Sequence, residues 1–131
     1  MLLNSTLEQY LLDLEQLLHY LEDAYIELFE EEIVTNERLN LRLRIRMGNN
    51  FLLEVNEAVI AEENAIQHLG YRYHFQDGLN NLIFRYDNTP HFPKLNGFPN
   101  HKHLPKGVIE AEKPDISNVI QEASSFQKYS P

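Results

Sequence analysis

Between Leu39 and Met47 apolar and polar side chains alternate without exception: Leu39, Leu41, Leu43, Ile45 and Met47 against Asn40, Arg42, Arg44 and Arg46. A period of two sends successive side chains to opposite faces of an extended chain. The segment therefore predicts a strand in a sheet with one covered face and one wet face. Gly48-Asn49-Asn50 supplies the chemistry of a hairpin turn. Phe51, Leu53, Val55 and Val59 continue as a second strand, and Glu62-Glu63-Asn64 makes the next connection. A third strand sets Leu69, Tyr71, Tyr73 and Phe75 on one face and His68, Arg72 and His74 on the other. Asp77-Gly78 marks a tight turn. Leu82, Phe84 and Tyr86 form the apolar face of a fourth strand, with Ile83 and Arg85 opposite.

The first third carries a different period. Leu7, Leu11, Leu14, Leu18, Leu21, Tyr25 and Leu28 alternate steps of four and three, and no Gly or Pro interrupts residues 5–32. This predicts one helix over 1–32, with Ser5 and Glu8 as its capping box and Leu11, Leu14, Leu18 and Leu21 shielded from water. The stripe fits either a sheet or the same stripe of a second copy, so a homodimer through this helix is one expected partnership. Residues 87–107 hold four of the six prolines and read as a long loop, packed down by Phe92, Leu95 and Phe98. A short strand over 108–111 and a helix over 115–126 close the chain. The expected architecture is α+β and one domain over 1–131. Both helices cover one face of a four- to five-stranded antiparallel meander, with the sheet and histidine-rich loop over 38–111.

Composition removes several chemistries. The 131 residues include no cysteine, which excludes disulfides, thiolate nucleophiles and cysteine-held metal centres. No Gly-x-Ser-x-Gly and no phosphate-binding glycine loop occurs. No apolar run has the length of a membrane span, and the first residues lack the basic region of a secretory leader, so no membrane partner and a cytoplasmic location are expected. The net charge is −9, but it is unevenly spread. Residues 1–65 hold 4 Lys/Arg against 14 Asp/Glu, whereas 66–108 hold 5 against 2 and five of the six histidines.

That basic island is where chemistry is expected. Alternation puts Arg42, Arg44, Arg46, Arg72, His74 and Arg85 on one surface, which would attract a polyanion such as RNA. A solvated sheet face is the plainer account. His91, His101 and His103 lie near Asp87, Lys94 and Lys102. Cleaving RNA without a metal takes a base for the 2′-OH, an acid for the leaving oxygen and cations on the phosphorane. Histidines with Lys102 and Arg85 supply that set, so His74, His91, His101 and His103 are expected to converge with Arg85 and Lys102 on a site that needs no cofactor. His101 and His103 with His91 and Asp87 could instead bind zinc, or the loop could simply be fixed by histidine hydrogen bonds.

The run from Tyr71 to His103 also resembles the TumE family, described as toxins of type II toxin–antitoxin modules. Its Tyr71-Arg72-Tyr73-His74 and Phe84-Arg85-Tyr86-Asp87-Asn88 match that family's strands, and Pro90-His91, Phe98-Pro99 and His101-Lys102-His103 match its loop. Phe92 and Asn100 stand where a histidine is frequent. The resemblance implies a toxin with a cognate antitoxin as partner, acting on RNA. It also implies Tyr86 and Asp87, beside the arginines, as binding residues. A non-catalytic interaction protein using the same surface is the competing reading.

Overall fold

The computed structural model describes residues 2–128. One α-helix (α1, Ser5–His19) leads into seven strands, β1 (Ala24–Thr35), β2 (Arg38–Met47), β3 (Phe51–Glu62), β4 (Ala65–Gln76), β5 (Leu82–Asp87), β6 (His101–Leu104) and β7 (Gly107–Glu110). A second helix, α2 (Ile116–Lys128), follows. The strands form one sheet in sequence order, each antiparallel to the next. The α+β meander is thus as expected, but with seven strands rather than four or five.

Two expectations are corrected. The helix predicted over 1–32 ends at His19, and residues 24–35 form the first edge strand. Asp23 turns the chain with φ of 53°, and Asn36-Glu37 closes the hairpin between β1 and β2. The cap is Asn4 rather than Ser5: its side chain accepts from the backbone N–H of Thr6 at 2.8 Å. The segment expected to be a loop to residue 107 is cut at His101, where β6 pairs with the end of β5.

Strand partners directly across an antiparallel ladder share a face. Leu43, Val55, Tyr73, Tyr86 and Lys102 therefore form one row on the inner face. Over this face lie Leu7, Leu11 and Leu14 of α1 and Ile116, Val119, Ile120 and Ala123 of α2, in one core cluster with the apolar side chains of β2, Phe75 and Phe84. Leu18, in the last turn of α1, and Leu21, past its end, are only half-buried. The stripe proposed as a dimer surface is thus largely consumed by the chain's own sheet.

One polar group sits inside this core. Glu57 follows the inward alternation of β3, its side chain fully shielded. It accepts from the hydroxyls of Tyr10 and Tyr73 and lies 3.0 Å from His68 Nε2. Burial alone would raise its pKa; the bonds from His68, Tyr10 and Tyr73 outweigh that and hold it below the ordinary 4.5. His68 reaches it because a register shift between Ala58 and Val59 sets His68 against Val59. The expected facing is inverted there: His68 turns inward and Leu69 is half-exposed.

Candidate functional site

The outer face of the sheet carries the basic residues. Pairing aligns Arg42, Asn56, Arg72, Asp87 and His101 in one row and Arg44, Glu54, His74, Arg85 and His103 in the next. Arg42, Arg44, Arg46, Arg72, His74 and Arg85 thus share one face, as the alternation requires. Its cationic character is unequal. Glu27 lies 2.7 Å from Arg46 and 3.5 Å from Arg44, Glu54 is 3.4 Å from Arg44, and Glu30 is 3.7 Å from Arg42. The edge strand β1, unforeseen in the sequence, supplies Glu27 and Glu30. Arg72 is exposed and makes no ion pair among the described residues. With Arg42, Asn56, Gly70 and Asn88 it lines an open groove of about 440 Å³.

That row ends at the densest polar cluster of the outer face. Asp87 terminates β5 and is buried. Its Oδ1 lies 2.8 Å from His101 Nε2 and its Oδ2 3.3 Å from His103 Nε2, while the two Nε2 atoms are 3.1 Å apart. His101 and His103 face the same way because they are two apart on a strand. His101 is almost wholly buried, and its Nδ1 donates to the Pro99 carbonyl at 2.9 Å. His103 keeps about a fifth of its side chain open. Burial, and then the charge of Arg85, hold its pKa below the ordinary 6.5, with Asp87 opposing. The Thr89 N–H donates to Asp87 Oδ1 at 3.0 Å and fixes the carboxylate.

The loop over 88–100 folds onto this cluster. The Phe92 ring meets those of His101 and His103 edge-on, with centroids 5.0 and 5.9 Å away. Asn100 accepts from the Tyr71 hydroxyl at 2.7 Å. Arg85 Nε lies 3.5 Å from Asp87 Oδ2 without an aligned hydrogen bond. Directly across from it, His74 bonds Gln76 through Nε2 at 2.9 Å, while its buried Nδ1 is unpartnered among the described residues. Burial is the main reason that His74 also titrates below its ordinary value.

Not all the expected residues meet. Lys102 falls between two outward histidines, so it turns inward. Its ammonium bonds Glu122 of α2 at 2.6 Å and sits 4.7 Å from the centre of the Tyr86 ring. Tyr86 likewise faces inward and donates to Glu122. Both are therefore removed from the outer-face site. His91 is exposed on the loop and touches the cluster only through Phe92, 6.4 Å from ring to ring.

The family described as Toxin TumE matches residues 13–128. The chain belongs to that family. The match spans the whole sheet, α2 and the second half of α1, and the family description supports a toxin role for this TumE-family chain. No curated protein and no solved structure matches it. No helix among the described residues is long and apolar enough to cross a membrane. In this TumE-family member Phe92 covers the histidine pair and Asn100 holds Tyr71.

Proposed function

We propose that this chain is the toxin of a toxin–antitoxin pair and acts in the cytosol on RNA, cleaving it by side-chain acid–base chemistry that needs no cofactor. The observation that carries the reading is a buried carboxylate bridging two imidazoles, with an arginine of the same face 3.5 Å from it. His103, the more open imidazole, is the base for the 2′-OH. Asp87 and His101 are too enclosed to meet a substrate and act as positioning residues. His91, on the other side of Phe92, is the acid for the leaving oxygen. Arg85 and His74 face the scissile phosphate, and Arg72 and Arg42 hold the neighbouring phosphates in the groove. A protein antitoxin is the partner that this role requires, since such an activity must be restrained in the cell that makes it.

The test is inducible expression with growth and total RNA followed together, for the wild type and His103→Ala. Cleaved RNA and arrested growth with the wild type, and neither with a His103→Ala protein of native melting temperature, is the expected result. Intact RNA in both, with Arg72→Ala still weakening RNA binding by the purified protein, would replace the ribonuclease by a binding module.

A further inference from the structure

The hydrogen bonds around His101 leave an unbalanced point. A carbonyl oxygen can only accept, so the Pro99 contact at 2.9 Å places the hydrogen on Nδ1. In the neutral ring Nε2 is then a bare lone pair. It faces Asp87 Oδ1, another acceptor, at 2.8 Å. His103 Nε2 approaches both, at 3.1 Å from His101 Nε2 and 3.3 Å from Asp87 Oδ2. Nε2 and the carboxylate oxygen can face each other so closely only with a positive species between them, a second hydrogen on the His101 ring or a metal ion, and His103 Nε2 borders the same point.

We propose that Asp87, His101 and His103 bind one divalent transition ion of the zinc type, with the fourth coordination position open. Five further observations support it. Two edges of the triad, His101 Nε2 to Asp87 Oδ1 at 2.8 Å and to His103 Nε2 at 3.1 Å, come close to the roughly 3.3 Å that a tetrahedron with bonds of about 2.0–2.1 Å requires, and one donor atom from each residue lies within 4.8 Å of the others. The donor set, two imidazoles and one carboxylate, suits zinc, cobalt or nickel rather than calcium or magnesium. The Nδ1–H bond to a backbone carbonyl is the orienting contact that metal-ligating histidines make, and Thr89 orients the carboxylate in the same way. The Phe92 ring shields both imidazoles on one side, a partial apolar wall. Arg85 faces Oδ2, so among the described residues Oδ1 has only the Thr89 N–H to share with the ion.

The ion binding stands on this geometry alone; its consequence rests on the ribonuclease reading. An ion there ligates the nitrogen that His103 needs for proton transfer, so the loaded protein is the silent form and a chelator activates it. The test uses the full chain without an affinity tag, dialysed against Zn²⁺ or Co²⁺, with bound metal counted and the visible Co²⁺ spectrum recorded. One ion per chain is expected. His103→Ala and Asp87→Asn should weaken binding beyond the roughly 100-fold that loss of an outer contact causes. His103→Cys should restore it with a thiolate band, and His19→Ala should leave it unchanged. No saturable binding by the wild type, or full binding by a natively folded His103→Ala protein, overturns the site. A chain that binds the ion but never cleaves RNA keeps the site and removes the ribonuclease. A chain that cleaves equally with and without the ion removes the silencing.

Discussion

Tyr73→Phe isolates what holds the buried carboxylate of Glu57. The ring of Tyr73 is fully buried and stacks on Tyr71 at 5.2 Å, so phenylalanine keeps the packing. Only the hydroxyl that donates to Glu57 is removed. A hydrogen bond to a charged group is worth about 1.5–3 kcal/mol. At 1.36 kcal/mol per pKa unit this raises the folded-state pKa of Glu57 by about 1–2 units. Unfolding entropy of about 2.1 cal/mol/K per residue, over 131 residues, turns that loss into a fall in melting temperature of roughly 5–11 °C at neutral pH. The sign with pH follows from linkage. Glu57 is held below its ordinary 4.5, so its contribution is present above that value and lost as pH falls through the lower folded value. In the variant the folded value lies nearer the ordinary one, so the acid-linked loss is smaller and ends at a higher pH, and the two melting temperatures converge as pH falls. Calorimetry of both proteins across the acid range, repeated in a Glu57→Gln background, is the assay. An unchanged melting temperature, or the full loss persisting beside the neutral amide, would refute the account.

Three further outcomes are expected. Leu14→Ala, which empties a site at the centre of the α1 face, should cost about 2–5 kcal/mol, read from the urea midpoint. Lys102→Met should cost about 1–2 kcal/mol, from the lost Glu122 and Tyr86 contacts, while RNA binding stays as in the wild type; a binding defect would return Lys102 to the site. Arg72→Ala should weaken RNA binding and flatten the plot of log affinity against log salt by about 0.7, as one phosphate contact fewer requires.

The four central strands and the basic face were legible because alternation, unbroken in β2 and kept over most of its neighbours, has a single physical meaning. The edge strand was not. Register shifts at Ile26/Leu28 and Ile33/Thr35 break its period of two, and Leu21, Tyr25 and Leu28 happen to continue the helical spacing. Its Tyr25, Ile26, Phe29, Ile33, Val34 and Thr35 are strand formers, and that composition was the available signal. Asp87, His101 and His103 do lie together, as their nearness in sequence suggested, but Lys102 was grouped with them because 101–104 was read as loop. Read as a strand, His-Lys-His sends the lysine to the opposite face. Glu57 was missed although its signal was present: on its strand it occupies the same parity as Val55 and Val59, where a carboxylate needs partners. The tyrosines and His68 that meet it come from other elements, and only the bulge in β4 turns His68 toward it.

The sheet runs in strict chain order, and this bears on how the molecule forms. Every strand pairing is a hairpin or the closure of one loop, so most strand partners are near neighbours along the chain, and topologies with such local contacts fold quickly. The candidate site draws its ligands from 87–103 alone, a stretch closed by the β5–β6 pairing. It can assemble as one local unit before α1, more than sixty residues away, has docked. Weakening the N-terminal helix should therefore unprotect the amides of β1 and β2 in hydrogen exchange before those of β5 and β6.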